Sequence, residues 1–240
     1  MNSGLDTFAV IDFETTGMTP AHGARATEIG VVLVRGGQIV GQYESLMRSG
    51  AWVSPFIEEL TGISNAMLES APPAEQVMRE VSAFTRGCGL VAHNAAFDRH
   101  FWLAEQVRAG CADATEAAAL ASAGTARTDG FGPQPASQSL PPVFACTLLL
   151  ARRLYPEAPN HKLGTLARYH ALPDCGRAHR ALADATITAH LLIRMQRDME
   201  TRFGAELADQ PVSHALLTRL QRAAKEQLAR SIASHQRVSA

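Results

Sequence analysis

Asp12 and Glu14 stand two residues apart in the run FAVIDFETTG, residues 8–17, which otherwise reads as a buried strand. Side chains two apart on a strand leave the same face, about 6.6 Å apart along the axis, so these carboxylates repel one another across one surface. Two ionised acids at the end of an apolar strand are costly unless positive charge lies between them, and a divalent cation with oxygen ligands supplies it. The other reading is that the strand ends at Phe13 and leaves both acids solvated at a turn.

Asp98 lies in LVAHNAAFD, where a helix should begin after a short strand, and His179 and Asp184 lie in AHRALADA. Each has an ordinary structural use. An acid in the first turn complements the helix dipole, Asn94 makes an N-cap, and a His or Asp beside a helix start is commonly a cap or surface residue. Five residues of α-helix turn through about 500°, so on one helix His179 and Asp184 would point about 140° apart. They share a cleft only if His179 lies in the preceding loop and Asp184 in the first turn. Jointly, Asp12, Glu14, Asp98 and Asp184 with His179 supply four carboxylates and an imidazole, a side chain that titrates near neutrality. That is the equipment for two Mg²⁺ or Mn²⁺ ions and an activated water.

The elements that must position this set are legible in outline. Strand patterns run over Phe8 to Phe13, Thr27 to Arg35 and Gln38 to Met47, with Gly36-Gly37 as the hairpin between the last two. Val77, Val81 and Phe84 follow at helical spacing, GLVAH reads as a short buried strand, and Phe97, Phe101 and Val107 mark a further helix. VFACTLLLARRL reads as a helix, as does a long stretch from about Arg180 to Glu200. A last amphipathic stretch carries Leu216, Leu220, Ala224, Leu228 and Ile232 down one face. Phe13, Phe97 and Trp102 fit core positions better than base-stacking ones. The expected class is α/β, a mixed central sheet flanked by helices and ending in a C-terminal amphipathic helix. Ala109 to Pro142, rich in small residues, reads as a flexible insertion, so residues 1–205 form one domain and 206–240 a helical extension.

DFETTG, HNAAFD and AHRALADA, in that order, resemble the three motifs of the DEDDh, or DnaQ-like, exonucleases, whose best-known member is the proofreading epsilon subunit of DNA polymerase III. The likeness runs from Phe8 to Ile193 and takes in LTGIS, residues 60–64, and LARRLYP. It implies a ribonuclease-H-like fold and 3′ to 5′ hydrolysis of single-stranded ends; DNA is the leading substrate reading, although the motifs do not distinguish it from RNA. Asp12, Glu14, Asp98 and Asp184 match the metal-binding acids, and His179 matches the general base. Thr15, Thr16, Thr61, Gly62 and Ile63 match positions that hold the terminal nucleotide, as does Asn94 more weakly. The C-terminal amphipathic helix most often packs on its own domain, and its position beyond the exonuclease region leaves docking of a polymerase or replisome partner as the alternative. Two departures stand out. The 109–142 segment exceeds the family's connection, and Cys146-Thr147 stands where many relatives have Asp-Thr. The rival readings are an RNA-trimming exonuclease and a non-catalytic nucleic-acid-binding scaffold.

Composition bounds the rest. Over 240 residues the formal charge is −1, so any attraction for phosphates must be local. Lys162, Arg168, Arg177 and Arg180 face only Asp174 nearby, and read as either a phosphate grip or a solvated surface. Cys88, Cys111, Cys146 and Cys175 form no C-x-x-C pair and suit free thiols in a reducing cytoplasm. No stretch is apolar enough to span a bilayer and the N-terminus lacks a leader pattern, so no membrane partner is expected.

Overall fold

The computed structural model describes residues 6–112 and 143–239. The expected insertion therefore lies outside the described residues beyond Ala112.

β1 (Thr7–Thr15), β2 (Ala26–Arg35) and β3 (Gln38–Leu46) form an antiparallel meander. Gly36 and Gly37 turn the β2–β3 hairpin with φ of 57° and 72°, the paired left-handed conformation that tight hairpins need. Then come α1 (Pro55–Thr61), α2 (Asn65–Glu69), α3 (Ala74–Phe84), β4 (Gly89–Ala92) and α4 (Ala96–Arg108). After the undescribed segment follow β5 (Phe144–Cys146), α5 (Thr147–Leu154), α6 (Leu163–Tyr169), α7 (Ala181–Leu207), α8 (His214–Leu220) and α9 (Leu228–Ser239). The five strands are ordered β3-β2-β1-β4-β5, with β4 parallel to β1 and β5 parallel to β4.

Strand alternation sorts the core into two layers. Phe8, Val10, Val32, Val34, Val91 and Ala145 face the side covered by α5 to α9, while Ala9, Ile11, Phe13, Leu90, Ala92 and Phe144 face α3 and α4. This is the expected mixed sheet flanked by helices. Phe13 and Trp102 are buried and Phe97 is packed against them, as core positions should be.

Two helix boundaries differ from expectation. VFACTLLLARRL divides, because Phe144–Cys146 pairs with β4 as an edge strand and the helix starts at Thr147. The outer edge of β5 is closed by one side chain. Gln221 accepts the Cys146 N–H at 2.6 Å and donates to the Phe144 carbonyl at 3.1 Å, so a strand too short to show alternation is stabilised from far along the chain.

The C-terminal stretch divides as well, into α8 and α9, and the bend between them delivers Gln221 to β5. Leu216, Leu220, Leu228 and Ile232 are buried in the same layer as Leu191 and Leu192 of α7, whereas Ala224 sits exposed in the bend. His214 docks the first of these helices: its ring lies where a Cβ on Gly89 would be 2.5 Å away, and Nε2 bonds the Leu90 carbonyl at 2.8 Å. The apolar side of both helices is thus covered by the chain's own core, leaving their outer side for any partner. Among the described residues no helix is long and apolar enough to cross a membrane. All four cysteines are free.

Candidate active site

The acids gather where the first strand outruns its parallel neighbour. Val10 pairs with Val91, and β4 ends at Ala92, so Asp12 and Glu14 emerge beyond it on the side that faces α7. On the other flank Asp12 is paired with Gly30 and Glu14 with Glu28. Gly30 sets the distance of the covering helix, since a Cβ there would lie 2.3 Å from the Ala181 carbonyl carbon and the Leu182 nitrogen. Only a glycine lets the first turn of α7 rest directly on the strand.

Glu28 fixes the start of that helix. It is fully buried, accepts Arg180 Nε at 3.0 and 3.1 Å and Nη2 at 2.5 Å, and takes the Ala181 N–H at 2.8 Å. That amide is one of the orphan donors of a helix N-terminus, which Arg180 at the N-cap position does not satisfy with its own side chain. His179 lies in the preceding loop with φ 59°, and its backbone N–H donates to Asp184 Oδ2 at 3.1 Å. The loop-plus-first-turn geometry expected for this pair is the one observed. Ligand atoms of Glu14, His179 and Asp184 lie within 4.8 Å of one another.

Asp98 arrives from α4, in the first turn as expected. It is buried, and Oδ1 accepts the Phe13 N–H at 3.2 Å, so it reaches the strand between Asp12 and Glu14. The expected cap is not there, however. Asn94 has φ 61°, its carbonyl rather than its side chain closes the turn onto Phe97, and no side-chain hydrogen bond caps α4. With this left-handed backbone Asn94 is exposed and supplies no side-chain cap.

Electrostatics mark the cluster. Burial, then repulsion from Asp98, Asp184, Glu14 and Glu28, holds the Asp12 carboxyl well above the usual range. Burial, then Asp184 and Glu28, pushes Glu14 up to about 8 against a weaker pull from Arg180. Burial likewise lifts Asp98 to about 8 and raises Asp184. The nearby guanidinium does not neutralise them because Arg180 is held by Glu28 and reaches Glu44 at 3.5 Å. This also corrects its reading as a phosphate grip. Crowded carboxylate oxygens without a side-chain cation between them are the donor set that suits a hard divalent ion, so these residues fit a metal centre.

The residues expected to hold a terminal nucleotide are placed as follows. The Thr15 hydroxyl donates to Gly17 O at 2.7 Å, and the Thr16 hydroxyl accepts Arg25 N–H at 3.0 Å. Thr61 is buried, its hydroxyl bridging the Ile57 carbonyl and the Ile63 N–H, and the Ile63 side chain is fully buried. Gly62 closes α1 with φ 76°, and the Arg177 guanidinium lies over it while Nη2 bonds the Glu59 carbonyl at 3.4 Å. The hydroxyls of Thr15, Thr16 and Thr61 are engaged with local backbone and the Ile63 side chain packs with Val53 and Leu68, so backbone groups are what these segments offer.

Sequence reading missed Glu28, Gly30 and His93. The signal for Glu28 was present, a charge inside the apolar run ATEIGVVLV. His93 donates from Nε2 to the His161 carbonyl at 3.0 Å and accepts the Thr147 hydroxyl on Nδ1 at 2.9 Å, an arrangement available to a neutral ring. Burial pushes its pKa down to about 4, which keeps it neutral.

A family model described as Exonuclease (RNase_T) matches residues 9–192. The chain is 34% identical over 195 residues to a PolC-type DNA polymerase III of Halalkalibacterium halodurans, covering 81% of this chain and 12% of that protein. It is 32% identical over 191 residues to the 3′-5′ exonuclease DinG of Staphylococcus epidermidis, covering 80% and 18%. It thus spans less than a fifth of the length of these relatives. Among solved structures, exonuclease X in complex with 5′ overhanging duplex DNA superposes with a TM-score of 0.56 at 26% identity, over 94% of this chain and 99% of the other. The nuclease domain of 3′hExo, a DEDDh family member bound to rAMP, shares the fold with a TM-score of 0.57 at 20% identity over 82% and 95%.

Proposed function

The chain belongs to the exonuclease family, and from that premise we propose that it is a metal-dependent 3′ to 5′ exonuclease that removes nucleotides from single-stranded ends, DNA in preference to RNA. The observation that carries this reading is the convergence of Glu14, Asp184 and His179 beside the half-buried Asp12 and the buried Asp98, with no Lys or Arg paired to these acids among the described residues.

Asp12, Glu14, Asp98 and Asp184 would hold two divalent cations, Mg²⁺ or Mn²⁺. When bound, such ions polarise a phosphoryl oxygen and lower the pKa of water. The protein's own groups do the rest. The His179 imidazole, exposed on its loop and pinned through its backbone to Asp184, accepts a proton from the attacking water. The water oxygen bonds to phosphorus and the bond to the 3′ oxygen of the upstream nucleotide breaks. That oxygen takes up a proton from solvent to become the new 3′-hydroxyl, and a nucleoside 5′-monophosphate leaves. Backbone groups of Thr15 and Thr16 and of Thr61 to Ile63 hold the terminal nucleotide.

We take residues 1–205 as the exonuclease domain and 206–240 as an extension that buttresses it, with its outer side open to a polymerase partner. Four free thiols suit a cytoplasmic location.

The test is digestion of matched 3′-labelled single-stranded DNA and RNA in Mg²⁺ and in Mn²⁺, with EDTA and Asp12→Ala controls. Metal-dependent release of 5′-monophosphates, abolished in both controls and faster on DNA, is the expected result. Equal inactivity of wild type and Asp12→Ala in every condition would remove the catalytic reading.

A further inference from the structure

A second opening lies on the acid side of the sheet. Because Val10 pairs with Val91 and β4 ends at Ala92, His93 opens the turn that leaves β4 next to the stretch of β1 that carries Asp12. One strand further, Ala92 pairs with Cys146, which places Thr147 beside His93, where the two side chains are hydrogen-bonded. Neighbouring strands are about 4.8 Å apart, so whatever lies over His93 and Thr147 is next to the acids rather than across the molecule.

His93 opens onto a cleft of about 540 Å³ whose walls include Asn94, Arg152, Asn160 and Lys162 as well. Its charge is of one sign. Arg152 and Lys162 are exposed cations with no acidic partner among the described residues, and no carboxylate lines the cleft. The amides present donors too. The Asn160 side-chain oxygen is occupied by the Lys162 N–H at 3.0 Å, leaving its NH₂ outward, and Asn94 is exposed and does not cap the helix behind it. The floor is preset, since the neutral His93 ring is fixed at both nitrogens. A fixed, open recess with two unpaired cations and outward amide donors suits an anion that carries several oxygen acceptors.

We propose that this cleft is a phosphodiester subsite that grips the strand on the 5′ side of the nucleotide being released, with Arg152 and Lys162 as its two charges. The proposal rests on the exonuclease reading of the acid cluster and adds to it the path of the polynucleotide. The terminal nucleotide sits at the acids, and the backbone leads away along the ends of β4 and β5 rather than over the β2 side, where Arg180 is already tied to Glu28.

The test compares the full-length wild type with the double variant Arg152→Gln/Lys162→Gln on two substrates. One is a single-stranded DNA oligonucleotide. The other is the p-nitrophenyl ester of thymidine 5′-monophosphate, which has no nucleotide on the 5′ side. The expected result is a KM at least tenfold higher on the oligonucleotide with unchanged kinetics on the ester. Binding of the oligonucleotide in Ca²⁺ should lose roughly 1.4 from its log–log salt slope, about 0.7 for each phosphate contact removed. An unchanged oligonucleotide KM and salt slope would overturn the subsite. So would a parallel loss on the ester, which would put both residues in the hydrolytic centre or the fold. Wild type that hydrolyses neither substrate would instead remove the exonuclease reading, and the subsite with it.

Discussion

Glu14 and Glu28 are paired across β1 and β2, yet their carboxylates are used in opposite ways. Glu28 is closed off by Arg180 and the Ala181 N–H, whereas Glu14 makes no ion pair among the described residues and faces His179 and Asp184. One acid builds the helix start that carries the other's neighbours. The geometry of the acid cluster is therefore set in part by a carboxylate already committed to Arg180 and the Ala181 N–H.

Replacing Glu28 by Gln tests that dependence. The amide can still accept the Ala181 N–H but leaves Arg180 without a counter-charge. Breaking a buried ion pair from one side costs about 3–5 kcal/mol, and since the Arg180 side chain is 35% exposed the loss should fall at the lower end. Calorimetry should show Tm lower by roughly 6–12 °C. Because His179 and Asp184 hang from the same helix start, kcat should fall by at least tenfold with little change in KM. An unchanged kcat in a destabilised but folded variant would confine Glu28 to stability.

Gly30→Ala probes the same helix from below. The added methyl would meet the backbone of Ala181 and Leu182 at 2.3 Å, and backbone cannot swing aside as a long side chain can. Overpacking of this kind costs about 1–3 kcal/mol and moves the helix outward. Activity should drop at least a hundredfold, more than the stability loss accounts for, because Asp184 is displaced from Asp12. Near-normal turnover would show that α7 has more freedom over the strand than this contact implies.

How much of this was legible in advance follows from the range of the interactions. Asp12 and Glu14 stood out as charges in an apolar strand run, whereas Asp98, His179 and Asp184 each fit an ordinary capping or surface use and were legible only as a joint set, on elements that the strand and helix periodicities placed. The division of VFACTLLLARRL was hidden because the strand has three residues and its outer edge is satisfied by Gln221, 75 positions away. The Asn94 cap was misjudged because the backbone at that position is left-handed, and nothing in HNAAFD announces φ 61°. Arg180 read as free because its partner Glu28 lies 152 positions earlier.

The raised acids give the metal-free protein a definite pH dependence. Glu14 and Asp98 titrate near 8 when folded, well above ordinary carboxyl values near 4, so between about pH 4 and 8 the folded state binds more protons than the unfolded chain. Stability must then fall as pH rises through that window, and the contribution of these groups is lost above it. A bound divalent cation opposes this by favouring the ionised forms. Thermal melts in EDTA should show Tm declining from pH 6 to pH 8, and added Mn²⁺ should raise Tm more at pH 8 than at pH 6. A cation effect that is absent, or larger at pH 6, would contradict the assignment of these acids to a metal centre.

Removal of residues 212–240 decides whether the terminal helices are an appendage. Val212, Leu216, Leu217, Leu220, Leu228 and Ile232 are all buried in the core layer shared with α7. At roughly 1.5–3 kcal/mol for each side chain, their loss is on the order of 10 kcal/mol, comparable to the whole stability of a domain. The deletion also strips Gln221 from β5, exposing the edge strand that carries the chain into α5. The truncated chain is therefore expected to be aggregated or molten, with lost near-ultraviolet circular dichroism, and inactive. Gln221→Ala in the full chain isolates the edge. It orphans the Cys146 N–H and the Phe144 carbonyl at about 1–3 kcal/mol each, and should lower Tm while leaving the protein folded. A truncated chain that keeps native dichroism, cooperative melting and nuclease activity would show instead that the sheet closes its own edge, and that the two helices are free to serve a partner.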